Sequence, residues 1–219
     1  MKIVSVNVGR AEPLQGGKTE KDAYLTGIYK RPVAGPIGVT PEGLAGDCIG
    51  NLTYHGGPDQ AVYLYGMPDY AWWESTLGRP LGPGTFGENL TLSELDNSAL
   101  ALGDRFSIGE VILEVTSPRI PCATLSRRMG DSAFLKKFRH AERPGPYCRV
   151  LREGTVRVGD AVRHEPFSGE RVTMMEIFHA EFVPSKDAAT LRRHLAAPLA
   201  IRLRLPKEKA LSAMDSPGQ

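Results

Sequence analysis

The chain has few cysteines and no long hydrophobic run, and both absences limit its class. It contains 219 residues but only three cysteines, Cys48, Cys122 and Cys148, with no C-x-x-C pair among them. That spacing excludes a disulfide framework and the common zinc ribbons. No stretch of 18 apolar residues occurs, and the first residues alternate polar with apolar instead of forming a signal-peptide core. We therefore expect a reduced, cytoplasmic protein that does not enter a membrane.

An excess of charge of either sign is also missing. The 27 Lys and Arg residues nearly balance the 25 Asp and Glu residues, so the net charge is +2. A chain so balanced has no overall attraction for nucleic acid or for an anionic membrane surface. The nucleotide-binding patterns G-x-x-x-x-G-K-[ST] and strand-linked G-x-G-x-x-G are absent, and so is the cysteine set of an iron–sulfur cluster.

What the chain does contain is enough apolar sequence for one large domain, divided by many turns. It is 41% hydrophobic, with 24 Gly and 17 Pro scattered among the apolar segments. This composition favours short strands joined by tight turns. Alternation and apolar runs predict strands at residues 3–8, 24–30, 60–65, 88–92, 104–108, 111–116, 147–151 and 155–158. Helical spacing predicts helices at residues 68–77 and, interrupted by Gly130, within 122–141.

The composition changes near residue 168. Thr173 could cap a helix that ends at Ala180, and Ser185 could cap another that ends at Ala196. Residues 201–205 alternate like a strand between helix-like segments, so their structure stays open. Residues 186–209 contain seven Lys or Arg against two Asp or Glu, a local net charge of +5. We predict an α+β, mainly β, domain over 1–167 and a small basic helical extension over 168–219.

Three turn-rich clusters could contain reactive chemistry. Residues 54–60 and 84–90 combine adjacent or closely spaced glycines with polar side chains, which allows close approach of backbone N–H groups to a ligand. Spacing alone favours plain structural turns for both. The third cluster, residues 117–122, follows the clearest strand and contains two prolines, Arg119 and Cys122.

Cys122 is the strongest candidate for a reactive side chain. Two prolines hold the chain rigid before it, it opens a predicted helix, and Arg119 is nearby. A helix start and a cation both favour the thiolate, which is a nucleophile and a ligand for soft metals. The alternative is an inert, buried thiol, as we expect for Cys48 and Cys148. Among the histidines, His55 best suits a functional loop because two glycines follow it.

Six motifs occur together in one order: GIYKRPV (27–33), GLAGD (43–47), HGGPDQA (55–61), FGENL (86–90), SPRIPC (117–122) and GTVRVGD (154–160). In this combination the chain resembles MOSC domain proteins of the YiiM type over about residues 1–165, and its C-terminal extension resembles the three-helix extension of those proteins more loosely. The resemblance implies a MOSC-type, β-barrel-like domain with peripheral helices. Pro198 and Pro206 interrupt the region in which the helices of the extension should form, so the sequence does not decide how many helices the extension contains.

The resemblance also implies that the domain holds molybdenum cofactor, a molybdopterin dithiolene with an oxo-molybdenum centre. The cysteine of the P-R-x-P-C motif, here Cys122, is then the protein ligand to molybdenum. Lys30, Arg119 and the turn at Gly56 and Gly57 are candidates to bind the pterin phosphate. The remaining candidates to line the pocket or orient ligands match motif positions without individual roles; they are His55, Asp59, Thr85, Glu88 and Asn89.

The activity implied by the resemblance is reduction of N-hydroxylated bases and similar N-oxygenated small molecules. His55 or Glu88 could donate a proton, with Cys122 and His55 as the catalytic pair. Electrons must come from a separate reductase, for which the basic extension is a docking hypothesis through Arg192, Arg193, Arg202 and Arg204. We expect no nucleic-acid or membrane partner, and a homodimer is one option for the assembly.

Two other functions would use the same residues, and a third would not. The fold could carry molybdenum cofactor, or sulfur as a Cys122 persulfide, without turnover. Cys122 and His55 could form a Cys–His hydrolase, although no third orienting residue is evident. A plain β-rich interaction module would leave the glycine–histidine and proline–cysteine clusters unexplained.

Overall fold

The computed structural model describes residues 1–15, 24–50 and 56–215, and these residues form a mixed, mainly β, fold. The strands are β1 (Ile3–Val8), β2 (Glu12–Pro13), β3 (Leu25–Thr26), β4 (Arg31–Pro32), β5 (Ile37–Thr40), β6 (Gly43–Leu44), β7 (Val62–Gly66), β8 (Leu90–Leu92), β9 (Arg105–Ile108), β10 (Val111–Pro118), β11 (Pro146–Arg152), β12 (Gly154–Val156) and β13 (Arg163–Glu165). The helices are α1 (Met67–Leu77), α2 (Ala123–Met129), α3 (Phe134–Ala141), α4 (Met174–Ala180), α5 (Ala188–Ala196) and α6 (Ile201–Asp215).

Eight strands form the main sheet, in the order β13-β9-β10-β11-β7-β8-β1-β4. Its neighbours are antiparallel except for the parallel pair of β7 and β8. The sheet curls so that the segment before β13 reaches the start of β1, where Val162 N donates to Met1 O at 3.0 Å. The expected α+β, mainly β, MOSC-type fold is confirmed, although the curled sheet does not close into a barrel.

Two apolar clusters stabilise this arrangement. The larger lies inside the curled sheet and includes Val62, Leu113 and Val115, all fully buried. The smaller is aromatic and joins α1 to α2 and α3 through Trp73, Phe86 and related rings. Trp73 lies 5.7 Å from the Phe86 ring and donates its indole N–H to Tyr65 Oη at 2.8 Å. Burying side chains of this size contributes about 1.5–3 kcal/mol each, and the cluster fixes α2, which follows Cys122, against the sheet.

Several local predictions are confirmed because their signals are local. The β9–β10 hairpin, α1 with Gly78 in the left-handed conformation at its end, and the helices on either side of Gly130 all form. Thr173 caps α4, since its side chain accepts from Glu176 N at 3.1 Å.

Three local predictions are wrong. Asp187, rather than Ser185, caps α5, because its carboxylate accepts from Thr190 N at 2.7 Å. Of the strand predicted at 24–30, only the two-residue β3 forms, and β4 begins after it at Arg31. The chain bends at Gly27, where a Cβ would lie 1.7 Å from Cys48 O, so only glycine allows this approach. Pro206 lies within helix α6 instead of interrupting it.

Residues 201–205, whose conformation the sequence did not decide, form the first part of α6. Two contacts hold this helix to the domain: Leu203 packs against the larger core, and the Lys207 ammonium donates to Glu181 Oε1 at 2.6 Å. Tertiary packing therefore outweighs both the strand-like alternation and the proline. None of the helices in the described part of the chain is both long and apolar enough to cross a membrane.

Candidate functional site

A cleft of about 440 Å³ opens beside the first turn of α2 and the ends of β7, β8 and β10. Its buried lining includes the polar side chains of Lys30, Asn89 and Arg119, and its exposed lining, the mouth, includes Tyr24 and Leu25. Tyr24 and Leu25 form part of the mouth, where the Tyr24 hydroxyl lies 2.7 Å from Thr124 Oγ1 of α2. The polar lining consists of Thr26, Lys30, Asp47, Cys48, Gln60, Tyr63, Asn89, Arg119, Cys122, Thr124 and Tyr147.

A buried ion pair forms one part of the inner wall. The Lys30 ammonium lies 2.5 Å from both carboxylate oxygens of Asp47, and the two side chains are 8% and 7% exposed. Asp47 also accepts from Asn89 Nδ2 at 2.8 Å and from Gly9 N at 2.7 Å. Burial lowers the pKa of Lys30 below its usual range, although Asp47 opposes that effect. The ion pair and these two hydrogen bonds therefore orient the Asp47 carboxylate.

Asn89 connects this wall to the sheet. Its Oδ1 accepts from Tyr63 N of β7 at 3.0 Å, which leaves its Nδ2 to face Asp47. The side-chain amide thus takes part in the contact between β7 and β8 where the two strands begin to pair. This pairing sets the position of the Asn89 amide next to Asp47.

Arg119 supplies a second buried cation to the lining of the cleft. The end of β10 places its side chain inside the protein, with its guanidinium carbon 4.9 Å from the Tyr63 ring centroid. Only 4% of Arg119 is exposed, and its Nε has no hydrogen-bond partner among the described residues. A buried donor without a partner costs about 1–3 kcal/mol. Arg119 Nε is therefore a donor that a bound anionic or carbonyl group could satisfy.

Cys122 lines the same cleft as Arg119. It precedes α2, is half-buried, and its carbonyl accepts from Leu125 N at 3.0 Å. Burial alone would lower the pKa of Arg119. Electrostatic interactions with Tyr147, Tyr63 and then Cys122 raise it, and together they place the pKa above its usual value. The Arg119 guanidinium and Cys122 sulfur are thus close enough to interact electrostatically. The geometry favours a nucleophilic or metal-binding sulfur that faces the cleft.

The structure brings five of the predicted site residues together at this cleft: Lys30, Gly56, Asn89, Arg119 and Cys122. Gly56 adopts a φ of +72°, and a Cβ there would lie 2.5 Å from Ile49 Cδ1, so this turn requires glycine. Gly57, Asp59, Thr85 and Glu88 do not line the cleft. His55 lies outside the described residues.

Asp59 connects the domain to the C-terminal extension. One carboxylate oxygen accepts from Ile201 N, the first residue of α6, at 2.7 Å, and the other pairs with Arg149 at 2.9 Å. Its backbone carbonyl accepts from the Thr116 hydroxyl at 2.5 Å. The side chain therefore holds α6 against the sheet next to the cleft.

Thr85 and Glu88 lie behind the cleft, in the loop that joins α1 to β8. The Thr85 hydroxyl donates to Gly82 O at 2.6 Å, within its own turn. Glu88 Oε1 accepts from Tyr70 Oη at 2.5 Å, Gly84 N at 2.6 Å and Thr91 Oγ1 at 2.9 Å. Glu88 is fully buried, and these contacts bind the loop to the sheet.

Replacing Glu88 with glutamine should remove a pH dependence of stability. Burial raises the pKa of Glu88 above 4.5, so the folded state binds more protons than the unfolded state between 4.5 and the raised pKa. The stability of the wild type should therefore fall as the pH rises through that window. Glu88→Gln should flatten this slope, as measured by urea unfolding at several pH values above 4.5. Equal slopes in both proteins would contradict it, and Glu42→Gln, at an exposed position between β5 and β6, is the matched control.

Several cleft residues were not selected from sequence. Asp47 ends the GLAGD motif, but its partners Lys30 and Asn89 lie 17 and 42 residues away, so the motif gives no sign of the ion pair. Tyr63 and Tyr147 have ring centroids 4.9 Å apart, and burial raises the pKa of Tyr147. Cys48, which we expected to be structural, lies on the cleft wall. Cys148 is fully buried in β11, as expected, and burial raises its pKa.

Comparison with known proteins places this geometry in a family. Residues 51–163 match the MOSC domain family. The chain is 38% identical over 159 residues to the Bacillus subtilis (strain 168) protein YflK, which covers 72% of this chain and 70% of YflK. It is 31% identical over 159 residues to a Gibberella moniliformis (strain M3125 / FGSC 7600) protein named reductase, which covers 68% of this chain but only 28% of that longer protein.

A solved structure matches almost the whole chain. The crystal structure of YiiM from Geobacillus stearothermophilus superposes with a TM-score of 0.78 and 28% sequence identity, and the match covers 96% of this chain and 98% of YiiM. The likeness includes the helices after residue 167 as well as the β-rich part. On the family match and the identity to YflK, the chain belongs to the MOSC domain family, and within that family it is of the YiiM type.

Proposed function

We propose that this protein binds molybdenum cofactor in the cleft, with Cys122 as the protein ligand to the metal. We further propose that it reduces N-hydroxylated compounds, such as N-hydroxylated nucleobases. The observation that carries this proposal is that Cys122 and Arg119 line the same cleft, and that the buried Arg119 Nε has no partner among the described residues. A soft sulfur beside an unsatisfied cationic donor suits a metal–dithiolene group with an anionic tail.

The residues of the cleft fit such a group in different ways. Lys30 is neutralised by Asp47, so Arg119 is the better candidate to bind the phosphate of the pterin. Asp47 accepts hydrogen bonds from the Asn89 amide and from the Lys30 ammonium, which gives the wall a fixed pattern of donors and acceptors. Gln60 Oε1 is buried without a partner in the described part of the chain, so it offers an acceptor for pterin N–H groups.

The proposed reaction converts R–NH–OH, two electrons and two protons into R–NH2 and water. When bound, the cofactor would supply the two-electron redox chemistry of this reduction. The chain's own residues bind the cofactor, orient the substrate and restrict water at the apolar mouth, where Tyr24 and Leu25 lie. Glu88 does not line the cleft and His55 is outside the described residues, so the proton donor stays unassigned.

Molybdenum content and turnover together test this proposal. We would express the protein in a cofactor-competent host and in an otherwise identical host that cannot synthesise the cofactor. We expect near-stoichiometric molybdenum and pterin only from the first host. With reduced methyl viologen as the electron donor, only the loaded protein should reduce N-hydroxylated adenine to adenine.

Two outcomes would contradict the proposal in different ways. Protein without molybdenum or pterin from a competent host would overturn cofactor binding. Loaded protein that does not turn over any N-hydroxylated base would overturn the reductase activity and favour the carrier function, which transfer of the cofactor to an apo-molybdoenzyme would then test.

A further inference from the structure

Tyr147 is the one tyrosine in the described part of the chain whose hydroxyl makes no hydrogen bond to another described residue. Six of the seven tyrosines are described. The hydroxyls of the other five have partners at 2.5–3.0 Å: Thr124 for Tyr24, Gln15 for Tyr29, Pro144 for Tyr63, Arg143 for Tyr65 and Glu88 for Tyr70. A tyrosine hydroxyl inside a protein usually finds such a partner. The Tyr147 hydroxyl is therefore available to a ligand.

The fold holds Tyr147 in a fixed place on the cleft. Tyr147 lines the cleft from the start of β11, between β10 and β7. Its ring centroid lies 4.9 Å from that of Tyr63, and its backbone carbonyl accepts from Thr116 Oγ1 at 3.1 Å. The residue is nevertheless only half-buried. Because the ring is already held in place, its hydroxyl loses little conformational entropy when it binds a ligand.

Tyr147 also lies near the sulfur that we propose as the metal ligand. Burial raises the pKa of Tyr147, and the charges of Arg119 and Cys122 act on it as well, so these groups are within electrostatic range of its hydroxyl. All three residues line the cleft. At neutral pH the phenol keeps its proton and is a hydrogen-bond donor. A ligand oxygen that lies beside Cys122 would therefore meet this donor.

Three other donors that line the cleft are already engaged. The Lys30 ammonium and the Asn89 amide both donate to Asp47. The Thr124 hydroxyl lies 2.7 Å from the Tyr24 hydroxyl. A ligand could bind to any of these groups only in competition with a hydrogen bond that the folded chain makes. The Tyr147 hydroxyl has no such bond to give up within the described residues.

We propose that the Tyr147 hydroxyl donates a hydrogen bond to the oxygen of the substrate's N-hydroxy group and thereby selects N-hydroxylated compounds over the corresponding amines. This proposal rests on the proposed reductase function. The contact binds and orients the substrate, and no proton or electron is transferred in it. The amine product lacks the oxygen, so the contact is lost once the reaction is complete. A site that hydrogen-bonds a substrate oxygen discriminates against the analogue without it, because the donor then stays unpaired.

Removal of this single hydroxyl tests the proposal. Tyr147→Phe keeps the ring that packs against Tyr63. Tyr29→Phe is the matched control, because Tyr29 does not line the cleft and its hydroxyl accepts from Gln15 N. Both variants would be prepared in the cofactor-competent host, and thermal melts would show whether they keep the wild-type fold. We expect both to contain as much molybdenum and pterin as the wild type.

The main measurement is calorimetric binding of N-hydroxylated adenine and of adenine to the loaded enzyme without an electron donor, so the readout does not depend on turnover. The wild type and Tyr29→Phe should bind N-hydroxylated adenine roughly tenfold more tightly than adenine, as the loss of one hydrogen bond implies. Tyr147→Phe should bind the two about equally, with its affinity for adenine unchanged. A merely structural role would weaken the binding of both compounds alike. With reduced methyl viologen, the KM of Tyr147→Phe for N-hydroxylated adenine should rise by a similar factor.

Three results would overturn the proposal: the wild-type preference persists in Tyr147→Phe, the wild type binds the two compounds equally, or Tyr147→Phe alone loses molybdenum and pterin. In the last case the hydroxyl serves the cofactor instead of the substrate. Failure of the proposed function is a separate result. If the wild type contains no cofactor or does not turn over with methyl viologen, the reductase function fails, and the ratios of the two affinities in wild type and variants still judge the role of Tyr147.

Discussion

Cys122→Ser should lose most of its molybdenum and reduce N-hydroxylated adenine on the order of 100-fold more slowly than the wild type. A serine hydroxyl is a poor ligand for a soft metal centre, and even outer-shell changes at metal sites typically cost about 10–100-fold. Cys122 is half-buried at the start of α2, and serine matches its size and can adopt the same backbone conformation. The fold should therefore survive. The measurement is molybdenum by elemental analysis, with turnover driven by methyl viologen.

Cys48→Ser is the matched control, because Cys48 is the other thiol on the cleft wall. It should retain molybdenum and activity within about twofold, since ligand loss is specific to Cys122. Equal molybdenum content in Cys122→Ser and the wild type would show that Cys122 is not the metal ligand. Loss of metal in Cys48→Ser alone would move that role to Cys48.

Asp47→Ala should destabilise the protein by about 3–5 kcal/mol, because it leaves a buried cation without its partner. Lys30 is only 8% exposed, and Asp47 is its partner in the ion pair. The change also leaves Gly9 N and Asn89 Nδ2 without their acceptor. Urea unfolding at pH 7 would measure the loss. Glu208→Ala, which removes a surface pair with Arg204, is the control and should change stability by less than about 1 kcal/mol.

The loss in Asp47→Ala should depend on pH with a definite sign. Burial already lowers the pKa of Lys30, and removal of Asp47 takes away the largest effect that raises it. The unfolded state then binds more protons than the folded state between the lowered pKa and 10.5, so stability rises with pH across that window. Adding Lys30→Met should recover much of the stability and abolish the rise. A double variant no more stable than Asp47→Ala would contradict this account.

Elements with local causes could be predicted from the sequence. Pro68 in the first turn and Gly78 after the last fixed the limits of α1, and the turn at Gly109 defined the β9–β10 hairpin. The cluster around Cys122 was likewise apparent, because the two prolines and Arg119 are neighbours in the chain. Ser185 and Asp187 show the limit of such signals. Both residue types cap helices, and the two positions differ by only half a turn.

The cleft as a whole could not be read from any one motif. The separate motifs indicated Lys30, Asn89, Arg119 and Cys122, but only the curled sheet shows that these side chains share one cleft. Asp59 is the clearest contrast, because it belongs to the same motif as Gly56 yet faces away to hold the first residue of α6. A motif fixes spacing along the chain, whereas the direction of each side chain depends on its non-local partners.

Caps, turns and alternation in the sequence were enough to predict much of the secondary structure, and six ordered motifs were enough to indicate the family. The pairing of Asp47 with Lys30, the unsatisfied donor of Arg119 and the helical conformation of residues 201–205 became apparent only in the folded protein. All three have the same cause. Burial and ion pairing act between residues that are distant in sequence, and packing of Leu203 and Lys207 outweighs a local preference worth about 1 kcal/mol per residue or less.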